Sequence, residues 1–285
     1  DFFDKLENGN EIHTSQPSPE SITDIWDEAL KEYDEILYFP ISSGLSGSCM
    51  TCMMLAKEEK YKGRVHVVDN GRVSTPMHVT ILDALEMIDE GYSGTQIKGA
   101  LEASRNDEVI YLAVDTLKYL YAGGRISRTS AVIGTVLSIK PILYLNTGVL
   151  ELYKNCRGFL KAKKLMISYI KKDLETRFKE EYGKGQIYLM AATSAAADVT
   201  SAWVKEIEAE FPGQRVYTDY LSLGVCCHSG TGALGIGVSV KTPSHDCRCA
   251  MTFRRRETLP NGNERQHLYS GSRIASGGGD DRYKE

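Results

Sequence analysis

Ile36-Leu37-Tyr38-Phe39-Pro40, followed one residue later by Ser42-Ser43-Gly44-Leu45-Ser46-Gly47-Ser48, is the stretch on which the fold turns. An unbroken apolar run of this length, rich in β-formers, suits a strand buried on both faces, as in a parallel sheet. The serine- and glycine-rich turn then hands the chain to a helix over about Ser48 to Lys60. A helix start leaves four backbone N–H groups unpaired and carries roughly half a positive charge, so added hydroxyls make a socket for a carboxylate or phosphate. A second hydroxyl-rich stretch, Thr14-Ser15-Gln16-Pro17-Ser18-Pro19, lies upstream. After it Ile22, Ile25, Trp26, Ala29, Leu30 and Tyr33 recur at three and four, with Ser18 suited to the cap and Pro19 to the first turn, which predicts an amphipathic helix to Tyr33.

The alternation continues. Val65 to Asp69 reads as a strand, Thr75 to Glu90 and Ser93 to Arg105 as helices, and Val109 to Val114 as a strand. The polar segment Ala103 to Glu108 marks a domain boundary. Beyond it, Asp115 to Tyr121 reads as a helix stopped by the paired glycines of Gly123-Gly124-Arg125, followed by a helix over Ser127 to Leu137. Ile142 to Leu145 and Val149 to Tyr153 form a hairpin about Gly148, and a basic-faced helix covers Gly158 to Lys179. Strand Gln186 to Ala192, helix Ala195 to Phe211 and strands Arg215 to Thr218 and Gly235 to Val240 complete the pattern. The expected class is α/β: two α/β domains, with parallel or mixed sheets flanked by helices and a ligand at their interface. The boundaries are 1–108, 109–243 and a tail, 244–285. In the tail, Arg254-Arg255-Arg256, Gly277-Gly278-Gly279 and the lack of apolar periodicity predict disorder.

Bulk composition excludes several classes. The 285 residues are 42% hydrophobic and 25% charged with a net charge of −4, which gives no general attraction to nucleic acid or an anionic membrane. No apolar run reaches the ~18 residues that a spanning helix needs. The N-terminal Asp1-Phe2-Phe3-Asp4-Lys5 is not a signal peptide, so a cytoplasmic protein with seven reduced cysteines is expected. A start at Asp1, inside a helical pattern, reads as a fragment of a longer chain.

Thr14 and Ser46 are the hydroxyls expected at the anion socket, each before or within a helix-opening turn. Alone, either is an ordinary cap. His228 lies in Cys227-His228-Ser229-Gly230-Thr231-Gly232-Ala233, a glycine-rich turn in which an imidazole serves an anion or simply the turn. Arg125 and Arg157 stand beside glycines, where a guanidinium can meet an anion side-on or form a common surface ion pair.

Cys49-Met50-Thr51-Cys52 and Cys247-Arg248-Cys249 do not make a metal site: the first pair falls in an apolar helix and the second has a single-residue spacer. Gly232-Ala233-Leu234-Gly235-Ile236-Gly237 is not a dinucleotide loop, since a strand follows it. Gly44-Leu45-Ser46-Gly47-Ser48 imitates the nucleophile elbow of serine hydrolases, with His228 downstream, but Ser48 stands where the elbow's second glycine belongs.

In chain order, Thr14 to Ser18, Ser42 to Ser48, Val68-Asp69, Leu117 to Ser127, Lys140-Pro141-Ile142-Leu143, Arg157-Gly158 and His228 to Gly235 resemble the DegV family over residues 1–243. The resemblance implies a bacterial, non-enzymatic fatty-acid-binding protein that needs no cofactor. Its acyl chain would lie in an apolar tunnel, with the carboxylate held by Thr14, Ser46 and His228. It also implies a partner, a separate ATP-dependent fatty acid kinase that forms an acyl phosphate for phospholipid synthesis, with Arg125 and Arg157 at the phosphate end or the kinase contact. The alternatives are a serine hydrolase using Ser46 and His228, or a binder of a small phosphorylated sugar or glycerone. The sequence departs from the family in three ways: the strand–helix–strand expected ahead of Thr14 is not in it, Thr231 stands where a proline is usual, and the tail matches nothing.

Overall fold

The computed structural model describes residues 2–126, 139–146 and 148–242. The helix expected over 127–137 and the tail from 244 lie outside them. The chain opens with α1 (Phe2–Glu7) and α2 (Pro19–Glu32), then β1 (Ile36–Tyr38), α3 (Ser48–Leu55), β2 (Val65–Val67), α4 (Thr75–Asp89) and α5 (Gly94–Ala103). β1 and β2 pair in parallel, with Ile36 opposite Val65. Ile36 and Tyr38 pack toward Ile22, Trp26, Cys49 and Cys52, while Leu37 and Phe39 pack toward Val68, Ala84, Met87 and Leu101. Apolar contact on both faces of this half-buried strand is why the run at 36–40 carries no polar alternation. α2 begins as its sequence requires: the Ser18 hydroxyl accepts from Ser21 N at 3.2 Å, Pro19 follows, and Ile22 and Trp26 are buried.

The second sheet has six strands in the order β5-β4-β3-β8-β6-β7. In chain order the elements are β3 (Glu108–Ala113), α6 (Lys118–Ala122), β4 (Ile139–Asn146), β5 (Val149–Arg157), α7 (Phe159–Glu175), α8 (Lys179–Gly183), β6 (Ile187–Thr193), α9 (Ala197–Glu210), β7 (Val216–Tyr220), α10 (Leu223–Ser229) and β8 (Leu234–Val240). Val109, Tyr111 and Ala113 of β3 face α7 and α9; Leu112 and, just beyond the strand, Val114 face the opposite side, with Leu120 and Cys226. Only β6 and β7 are parallel; the other neighbours run antiparallel. The six-stranded sheet is therefore mixed, one of the two arrangements expected. A parallel return would carry the chain back across the sheet before β8 begins. The chain instead reverses at the end of the sheet where β7 stops, and β8 enters antiparallel between β3 and β6.

Two features join the sheets. Val79 of α4 packs on Tyr188 and Met190 of β6, while Ala84 and Met87 of the same helix pack with Val68 and Leu101. Beside α4, fully buried Arg72 donates from Nη1 to Thr80 Oγ1 at 2.6 Å and from Nη2 to Ser104 O at 3.2 Å, and its Nε lies 3.3 Å from Glu108 Oε2. Burial pushes the Glu108 carboxyl up to about 7, against the pull of the Arg72 and Arg177 guanidiniums. The second joint is the tip of the β4–β5 hairpin. Gly148, at φ +85°, accepts the Ser42 hydroxyl on its carbonyl at 2.9 Å. A Cβ on Gly148 would overlap that hydroxyl and come within 3.0 Å of Gly71 Cα.

β5 is an edge strand, and it is blunted. The register slips between Leu143↔Leu152 and Ile142↔Lys154, which leaves Tyr153 as a bulge with exposed Lys154 after it. Bulges and lysines on an edge discourage pairing with another chain.

Candidate functional site

The groups of interest gather where strands end. The turn at 42–47 follows the carboxyl end of β1, α6 follows that of β3, and α10 follows that of β7. In open α/β sheets this is where ligands are bound. The segment carrying Thr14 reaches the same place. Thr14 Oγ1 lies 2.9 Å from His228 Nε2, a contact across 214 positions.

Ser46 stands as a helix start requires: its hydroxyl accepts from Ser48 N at 3.2 Å, and the capping position itself is Gly47. Thr14 does not. The cap of α2 is Ser18, four residues on, so the Thr14 hydroxyl is directed to His228 rather than to helix amides. The Thr14 segment is instead tied to α3, the helix after the Ser46 turn, by Gln16, whose Oε1 accepts from Thr51 Oγ1 at 3.3 Å. On the other side of the turn, Ser42 Oγ accepts from Gly44 N at 3.1 Å, and the Ser43 hydroxyl donates to Asp69 Oδ2 at 2.6 Å. Burial raises the Asp69 carboxyl, but the Ser43 hydroxyl and amide and the Arg105 charge outweigh it and hold the carboxyl below its ordinary value.

His228 belongs to the last turn of α10, not to the glycine-rich turn expected; Gly230 at φ +75° ends that helix. Its ring packs on Gly123, where a Cβ would overlap Nδ1 and lie 2.5 Å from Cε1. Nδ1 is buried and has no hydrogen-bond partner among the described residues. Burial and, secondarily, the Arg125 guanidinium lower the imidazole pKa. Thr231 uses its hydroxyl outside the cluster, donating to Glu7 Oε1 of α1 at 2.7 Å.

Arg125 is inside the cluster but is committed to backbone. Nη1 donates to Gly123 O at 2.5 Å and Nε to Leu45 O at 3.2 Å, so the guanidinium joins the His228 seat to the Ser46 turn. Arg157 is elsewhere: it is exposed at the end of edge strand β5, opposite Ile139, and joined to none of these groups. The hydrogen bond that a Ser46–His228 hydrolase pair needs is not formed, because Nε2 is on Thr14 and Nδ1 faces Gly123.

Cys49 and Cys52 are buried on α3, and burial pushes the Cys49 thiol up to about 12. The glycine run at 232–237 leads into β8, where a Cβ at Gly237 would approach Val109 O to 2.8 Å. A shallow depression of about 350 Å³ between the starts of α7 and α9 is lined by Phe159, Lys163, Ala196, Val199 and Thr231, and by none of the cluster residues. Sequence reasoning missed Gly123 and Gln16. The doublet Gly123-Gly124 was visible, but it reads as one left-handed stop, whereas only Gly124 has positive φ.

A family model, described as an uncharacterised protein of the DegV family, matches residues 1–241. The chain belongs to the DegV family. A DegV domain-containing protein of Clostridium perfringens is 29% identical over 239 residues, covering 82% of this chain and 80% of the relative. A DegV family protein of Thermus thermophilus, described by its fatty acid binding, superposes with a TM-score of 0.72 at 30% identity, covering 84% of this chain and 83% of that one. DegV of Bacillus subtilis, a fatty acid binding protein, gives 0.68 at 28% identity, with 84% and 83% covered.

Proposed function

We propose that this DegV family chain binds a long-chain fatty acid and presents its carboxylate to a separate fatty acid kinase, which forms the acyl phosphate used in phospholipid synthesis in the cytoplasm. The carboxylate is held where residues 1–108 and 109–243 meet, by Thr14, Ser46 and His228. The 2.9 Å contact between Thr14 and His228 carries the reading, since it brings two of the three groups together at the carboxyl ends of the strands. The fatty-acid-binding relatives of Thermus thermophilus and Bacillus subtilis support the choice of ligand.

The acyl chain lies along the apolar side of the second sheet, where Phe2, Phe3, Leu117 and Leu150 are only partly buried around Leu120 and Leu143. Each buried methylene contributes about 0.8 kcal/mol. Hydroxyl donors suit the head group, because a buried salt bridge would hold the carboxylate firmly and blunt its attack on ATP. Arg157, exposed, is the kinase-facing cation, and Arg125 shapes the clasp.

Native mass spectrometry of protein purified from bacterial cells tests the binding step. A co-purifying acyl chain that diminishes in Ser46→Ala is the expected result. A small phosphorylated adduct, or unchanged loading in Ser46→Ala, refutes the reading. Acyl phosphate formed only when the kinase and ATP are both added tests the second step.

A further inference from the structure

Two adjacent glycines follow α6, and they are glycine for different reasons. Gly124 has φ +69° and nothing within 4 Å of a Cβ, so its backbone demands glycine and its surroundings do not. Gly123 is the reverse. Its φ of −77° and ψ of −9° suit any residue, yet a Cβ there would overlap His228 Nδ1 and lie 2.5 Å from Cε1. The demand for glycine at 123 comes from the imidazole.

That seat bears on which ring nitrogen carries the proton. Nδ1 is buried against Gly123 with no partner among the described residues, while Nε2 is 2.9 Å from Thr14 Oγ1. A proton on Nδ1 would be a buried donor with nothing to accept it, whereas a bare Nδ1 leaves only an unused lone pair. A buried unpaired donor shifts such an equilibrium by roughly 5- to 150-fold. We propose that Gly123 holds His228 as the neutral tautomer protonated on Nε2, so that His228 donates to Thr14 and the threonine's own proton is left to be given to the ligand's carboxylate. The last step rests on the carboxylate reading above. His228 is then a positioning residue that acts through Thr14. Its lowered pKa, from burial and from Arg125, keeps the ring neutral near pH 7. The chain of donors ends on a hydroxyl, with no full positive charge placed on the carboxylate.

The test is the long-range proton–nitrogen NMR spectrum of the histidine-labelled, ligand-free full chain, with His228 assigned by its loss in His228→Gln. The expected wild-type signal near pH 7 is neutral and protonated on Nε2; a proton on Nδ1, or an imidazolium, overturns the proposal whatever becomes of any variant. Gly123→Ala should shift the His228 signals and raise its titration midpoint toward the ordinary imidazole value. It should also weaken binding of a fluorescent fatty acid roughly tenfold, the loss of one strong hydrogen bond. Gly124→Ala should cost stability and leave the His228 titration in place. His228 signals unmoved in a folded Gly123→Ala refute the seat. If the wild type shows the Nε2 proton but binds no fatty acid, the carboxylate reading falls and the tautomer stands.

Discussion

Gly148→Ala is expected to be among the costlier single-methyl additions in this chain. At φ +85° an L-residue costs about 1–2 kcal/mol. In addition, the new methyl overlaps the Ser42 hydroxyl and presses on Gly71 Cα at 3.0 Å, where backbone has no rotamer to yield. If Ser42 turns away, its hydrogen bond to Gly148 O is lost, about 1 kcal/mol, and the support it gives Gly44 N goes with it. These two terms total about 2–3 kcal/mol, and the press on Gly71 adds to them. Gly213 is an internal control, since it has φ +81° but open space around a Cβ, so Gly213→Ala carries only the backbone cost of about 1–2 kcal/mol. Urea unfolding of both variants measures the difference. Because Gly148 buttresses the turn that carries Ser46, Gly148→Ala should also weaken fatty acid binding, and Gly213→Ala should not. Equal losses of stability in the two variants would mean that the hairpin tip is not seated on the Ser42 turn, and the reasoning fails.

Arg72→Met leaves Glu108 buried without its cation, and the loss should approach the roughly 3–5 kcal/mol seen when a buried pair is broken. A carboxyl raised in the folded state favours folding fully below its unfolded pKa and loses that contribution as pH rises through its folded value, about 7. Arg72→Met should therefore be less unstable at pH 5.5 than at pH 8, and a loss that does not change with pH refutes this. His228 runs the other way: its folded pKa is lowered, so below the ordinary imidazole value of about 6.5 the unfolded chain takes up the proton first and stability falls with falling pH. His228→Gln should remove that part of the profile between pH 5 and pH 7, and identical wild-type and variant profiles exclude it. The Cys49 and Cys52 thiols, buried and raised in pKa, should resist alkylation until urea unfolds the chain, as read by peptide mapping. Rapid labelling of either in native protein would show that the α3 face is open.

The elements were legible where local chemistry determines them. The three-and-four spacing from Ile22 to Leu30 and the cap at Ser18 gave α2, and the apolar run at 36–40 gave a strand with apolar contacts on both faces, though one only half-buried. Strand direction was not legible, because the sequence of β7, a short helix and β8 is the same text whether β8 returns parallel or reverses. Only the antiparallel pairing of β8 with β3 and β6 decides it. The position of Ser46 ahead of α3 could be read because a helix start is local. The bond from Thr14 to His228, across 214 positions, could not be read from local pattern; only the family resemblance set the two residues at one place. Gly123 was hidden for a related reason: a glycine that exists for a distant ring looks the same as one that exists for its own backbone. For Arg125 the sequence left an anion contact and a surface ion pair open, and it did not show that a neighbouring glycine supplies one of the carbonyls the guanidinium binds.

The bond between Thr14 and His228 also has a consequence for the chain as a whole. A ligand gripped by both residues would act as a removable cross-link between the two ends of the described chain. Local fraying at either end would release it, so occupancy should register as resistance of the entire molecule to melting and proteolysis. At a hundredfold excess over its dissociation constant such a ligand adds about 2.7 kcal/mol.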